Sequence, residues 1–147
     1  MSTTPLPEGD WIRGITIRQP WTAAILAGHK TIENRPRPLW RPGWVLLHAG
    51  GQIERRALRD PLVAHAVRGR ELMTGAVLGI ARIAALHQDL DDAAPCTPWS
   101  IPGAWHLELT GVQELALPVP ATGQLGPWRP APDLLERVLD QLPGFRP

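Results

Sequence analysis

The chain has one lysine, one cysteine, one phenylalanine and no tyrosine. A single cysteine, Cys96, excludes an internal disulfide, and no zinc-type Cys/His spacing surrounds it. His29, His48 and His106 do not fall into a ligand pattern either, so neither a metal nor another cofactor is expected. Long apolar runs are missing too. None approaches the roughly 20 residues that span a bilayer, so no membrane partner is expected. The start MSTTPLPEGD has no basic residue followed by an apolar stretch, which argues against a signal peptide and makes the expected location cytoplasmic. A phosphate-binding glycine loop, paired carboxylates of glycosidase type, a helix-turn-helix and an RNA-recognition aromatic motif are all lacking. Ser100 and Thr31 have no visible triad partner.

What is present is ordinary in bulk and uneven in detail. Of 147 residues, 44% are hydrophobic and 20% charged, proportions of one soluble domain. Seventeen prolines are spread along the chain as loop punctuation, and seven tryptophans supply nearly all the aromatic character. Residues 1–70 carry ten arginines and one lysine against five acids, a balance of +6, whereas residues 71–147 carry four arginines against nine acids, a balance of −5. Such asymmetry points to an acidic partner such as nucleic acid, unless the halves interleave and the charges mix.

The patterns predict one mixed α/β (α+β) domain over 1–147, with several short strands and two or three helices. Residues 14–18 alternate as a strand. WTAAILAG then reads as a short helix ending at Gly28, and KTIENR as a second extended piece. The proline-rich loop 36–43 leads to a buried strand, 44–50. Residues 53–69 have helical spacing, which Pro61 kinks or divides. Residues 75–88 and 104–117 read as strands separated by an acidic loop, 89–103. A turn-rich stretch ends in a short strand, and residues 131–142 form an amphipathic helix. A small curled sheet or barrel with packed helices satisfies this order.

The stretch GHKTIENR holds the only lysine, Lys30, among fourteen arginines. Arginine is effectively always protonated, whereas lysine can lose its proton when desolvated and offers a compact charge. Lys30 therefore suits a nucleophile, a base or a point contact to phosphate, or it is a chance surface residue. If the strand begins at Lys30, Lys30 and Glu33 face opposite ways. If it begins a residue or two later, Lys30 leans toward Glu33. Both readings stay open.

Trp21 and Trp44 read as core. Trp40, between Arg37 and Arg41, reads as an exposed base-stacking platform or as a packed ring. Trp99, Trp105 and Trp128 lie near prolines and glycines, at a rim or lid or packed inside. His48 ends a buried strand, lining a cavity or hydrogen-bonded in the core.

Taken together, ITIRQPWTAAILAGHKTIENR, WVLLHAG and ELALPVPATGQLGPWRP resemble the ASCH domain of the PUA-like superfamily over roughly residues 14–130. The most specific element is Gly-x-Lys-x-x-Glu-x-Arg, here Gly28, Lys30, Glu33 and Arg35. Gln19-Pro20-Trp21, His48, Trp99, Trp105–His106 and Trp128 also fit. The resemblance implies a small β-barrel flanked by helices and a basic cleft that binds RNA or reads a modified base. Arg18, Lys30, Glu33, Arg35, Arg37, Trp40, Arg41 and His48 would contact the nucleic acid. Some relatives are hydrolases, and in such an enzyme Lys30 and Glu33 would be catalytic. One branch hydrolyses N4-acetylcytidine with a lysine and a threonine three residues later. Here that position is Glu33, which departs from the pattern. A ribonuclease, or a protein-interaction adaptor using a tryptophan-rich rim, are the other expectations.

Overall fold

The computed structural model describes residues 12–89 and 94–145. The polar start of the chain and residues 90–93 of the acidic loop lie outside these. The elements run β1 (Ile12–Gln19), α1 (Trp21–Leu26), β2 (Ile32–Arg35), β3 (Gly43–Ile53), α2 (Pro61–Ala66), β4 (Ala76–His87), β5 (Trp105–Pro120) and α3 (Pro132–Leu139).

Local chemistry sets several boundaries. Gly28 ends α1 with φ of 82°, and its N–H donates to the Ile25 carbonyl at 3.0 Å. A glycine adopts this left-handed conformation without the Cβ clash of other residues. The apolar spacing over 53–69 does not give one helix. A 3-10 segment, Arg55–Arg59, stops before Pro61, and α2 starts on that proline with Asp60 as its cap, accepting from the Leu62 N–H at 2.9 Å.

The five strands form one sheet in the order β1-β3-β4-β5-β2. β1 and β3 are parallel, joined by the crossover through α1 and β2, and the remaining neighbours are antiparallel. β3 is covered on both faces, which explains its continuous apolar run. Val45 and Leu47 pack with Ile15, Ile17, Ile83, Leu107 and Ile25 of α1. Leu46 packs with Val77, Ile80 and Trp128, and with Leu134 and Val138 of α3.

The ladder does not close on itself: β1 and β2 are its two ends, so the sheet is open where a barrel was expected. Beyond β1, among the described residues, there is a single backbone bridge, Gly14 to Trp128, in place of the short strand expected near residue 128. The two ends of the sheet are nonetheless tied by a side chain. Arg35, the last residue of β2, donates to the Thr16 carbonyl of β1 at 2.9 Å.

Candidate functional site

The turn after α1 fixes the motif. The backbone N–H groups of His29 and Lys30 both donate to the Ala24 carbonyl, at 3.2 and 3.1 Å. β2 begins only at Ile32, so Lys30 stands before the strand and folds back over it. Its Nζ donates to the Ile32 carbonyl and, at 2.9 Å, to Glu33 Oε1. The alternative in which Lys30 and Glu33 face opposite ways is thereby eliminated.

Glu33 is the centre of a buried ion triad. Its Oε2 lies 3.1 Å from the Arg35 guanidinium, which also stacks over the Trp40 ring at 5.3 Å. Lys30 is 3% exposed and Glu33 8%. Burial pushes the Glu33 carboxyl up, but Lys30, Arg35 and the Asn34 backbone N–H outweigh it and hold it below the usual carboxylate range. Donors are left over among the described residues. An ammonium has three N–H groups, of which Lys30 uses two there. The buried Arg35 Nε has no partner among the described residues.

The triad lies along a cavity of about 790 Å³. Trp21 and Trp99 form part of its wall, edge to face with centroids 6.4 Å apart. The Trp21 indole N–H donates to Glu54 Oε2 at 3.0 Å, and Arg18 pairs with Glu54 Oε1 at 3.1 Å at the exposed rim. Asn34 holds the facing loop: its Nδ2 donates to the Trp99 carbonyl and its Oδ1 accepts from the Ile101 N–H, each at 2.9 Å. Arg18, Lys30 and Arg35 are matched along the lining by Glu33, Glu54 and Asp60, so the expected basic cleft is instead charge-balanced.

Of the residues singled out from sequence, Arg18, Lys30, Glu33 and Arg35 line this cavity together. Arg37 and Arg41 do not; they are exposed on the adjacent loop. Trp40 is not an exposed platform. It is 5% exposed and part of the core with Ile17 and Leu107, with the Arg35 guanidinium over its ring. His48 is also away from the cavity. It is 2% exposed, bonded through Nε2 to the Ala121 carbonyl at 2.7 Å and edge-on to Trp128. Asn34, Glu54 and the wall role of Trp21 escaped the sequence reading, since only pairing across the fold brings them to the triad.

No protein-family profile matches the chain, and no curated protein is significantly similar to it in sequence. Among the described residues no helix is long and apolar enough to cross a membrane.

Proposed function

We propose that this chain is a nucleic-acid-binding module of ASCH type, with a PUA-like fold, that takes one unpaired or modified RNA base into the cavity over Lys30, Glu33 and Arg35. The observation that carries this reading is the cavity itself: indole walls from Trp21 and Trp99 above a buried Lys-Glu-Arg triad with unused donors. Aromatic faces stack on any base, and convergent polar groups read its edge. A charge-balanced lining suits a planar base better than a bare phosphate. Phosphate contacts then fall to exposed Arg37 and Arg41 on the loop beside the cavity, where Pro36 lines the rim. The Arg35 tie between the sheet ends supports the barrel-like closure that such a fold needs.

The test is binding of a short single-stranded RNA, with cytidine or N4-acetylcytidine at one position. Affinity should fall with salt through the arginine contacts and fall at least tenfold in Trp99→Leu. Equal affinity of wild type and Trp99→Leu, with both folded by circular dichroism, would remove the reading.

A hydrolase of the same fold is the second reading, favoured by the unused Lys30 N–H beside an ionised Glu33. The intact mass of the acetylated RNA after incubation separates the cases. Loss of the acetyl group dependent on Lys30 identifies an amidohydrolase, Lys30-dependent strand fragments a ribonuclease, and an unchanged mass a binder. The adaptor reading has less support, because Trp99 and Trp128 are buried and Trp105 is half-buried rather than displayed on a rim.

A further inference from the structure

β4 and β5 are antiparallel, and their register places His87 directly opposite His106. The chain leaves the sheet after His87 and returns at Trp105, and on this excursion Asp89 and Cys96 come back to the same two rings. His106 Nδ1 is 3.3 Å from His87 Nε2, 3.5 Å from Cys96 Sγ and 3.5 Å from Asp89 Oδ1. His87 Nε2 is 3.9 Å from the same Asp89 oxygen, and all four ligand atoms lie within 4.8 Å of one another.

The outer sides of the rings decide what faces inward. His87 Nδ1 is 3.0 Å from the Glu108 carboxylate, and His106 Nε2 is 2.9 Å from the Ile101 carbonyl. Both oxygens accept, so both outer nitrogens carry a proton, and with the rings neutral each turns a lone pair inward. Two ring nitrogens, a carboxylate oxygen and the Cys96 sulfur then converge on one small space, where a single cation would satisfy all four together. Imidazoles anchored through their far nitrogens by a carboxylate and a backbone carbonyl are the usual outer support of a metal centre.

We propose that His87, Asp89, Cys96 and His106 hold one divalent transition-metal ion, zinc by donor chemistry. Bonds of about 2.0–2.3 Å to a tetrahedral centre give ligand–ligand edges of about 3.3–3.8 Å, which the three separations from His106 match, whereas the wider ones, up to 4.8 Å, close on binding. Two neutral imidazoles, a carboxylate and a thiolate also cancel a double positive charge. The nitrogen–sulfur set selects zinc or cobalt over magnesium or calcium, which prefer all-oxygen shells. Binding displaces the Cys96 thiol proton. Four protein ligands make the site structural rather than catalytic. It joins the ends of β4 and β5 to the loop whose residues Trp99, Ser100 and Ile101 line the cavity. Ser100 Oγ, 2.8 Å from Cys96 Sγ, and Ile101 O, bonded to His106, connect the two directly. The metal therefore fixes the cavity wall. The ligand assignment stands whatever the cavity binds.

The test uses the full chain, stripped with a chelator and titrated with Co²⁺ and then Zn²⁺. The expected result is one Co²⁺ per chain with intense tetrahedral visible bands and a near-ultraviolet thiolate charge-transfer band, both abolished by one equivalent of Zn²⁺. Cys96→Ser should lose the charge-transfer band and bind at least tenfold more weakly, and Asp89→Asn should also weaken binding. Neither residue is in the core, so both variants should fold. Amide exchange over residues 94–104 should slow on Zn²⁺ addition in the wild type only. Substoichiometric uptake, a weak octahedral spectrum without a thiolate band, or wild-type affinity in Cys96→Ser would each overturn the assignment.

Discussion

Arg35 donates to the Thr16 carbonyl at 2.9 Å and so joins the two ends of an otherwise open sheet. The same guanidinium is 3.1 Å from Glu33 and lies over Trp40. Removing it breaks a charge-assisted hydrogen bond, an ion pair and a cation–π contact together. Arg35→Ala should lower stability by about 2–4 kcal/mol in urea unfolding. Arg35→Lys should recover less than half of that, because one ammonium cannot replace a planar fork with several donors.

Glu33 predicts a pH dependence. Its folded pKa is held below the unfolded value of about 4.3, so the carboxylate stabilises the fold above that pH and the contribution is lost as pH falls through the folded value. Glu33→Gln should therefore be clearly less stable than wild type at pH 7, with the gap closing in acid. Unfolding curves at neutral pH and near pH 3 measure both ends. A constant gap would contradict the assignment.

The single lysine has a geometric reason. Lys30 is folded back over a strand start, with Nζ between Ile32 O and Glu33 Oε1, and it is 3% exposed. A guanidinium is longer and planar and cannot place one nitrogen where Nζ meets both the Ile32 carbonyl and Glu33, so Lys30→Arg should not rescue. Lys30→Met should cost about 3 kcal/mol by stripping Glu33 of one partner. Adding Glu33→Gln should cost less than the two single changes summed, a coupling read directly from a double-mutant cycle.

Gly14 is required by proximity rather than by its backbone angle. A Cβ there would stand 2.1 Å from the Trp128 ring, whose backbone is bonded to Gly14 in both directions. Gly14→Ala must displace a buried indole that packs α3 against the sheet, and should cost about 1–3 kcal/mol in thermal or urea unfolding. The same change at Gly51, where nothing lies within 4 Å, is the control.

Much of the element order was legible because periodicity is local. The long strands β4 and β5 and the helix α3 lie close to where alternation and 3.6-residue spacing put them. The divided 53–69 segment followed from Pro61. The Gly-x-Lys-x-x-Glu-x-Arg spacing singled out the triad, since its members are close in sequence. What stayed hidden depends on long-range pairing. Nothing around Trp40 in PRPLWRPG distinguishes a ring folded under Arg35 from one turned to solvent. His48 faces the Trp128 side because of strand parity and the path of the tail at Ala121. The four proposed ligands are scattered as His87, Asp89, Cys96 and His106, and only the bulged β4–β5 register sets the histidines opposite each other. Their spacing matches no local metal pattern, so composition alone argued against a metal.

The most direct test of the account is photocrosslinking of a short single-stranded RNA carrying one photoreactive base, with the attachment point mapped by mass spectrometry. The account predicts that the base attaches at Trp21 or Trp99 and that crosslinking drops in Lys30→Met that remains folded. Attachment confined to the exposed arginine loop, or none at all, would contradict entry of a base into the Lys30–Glu33–Arg35 cavity.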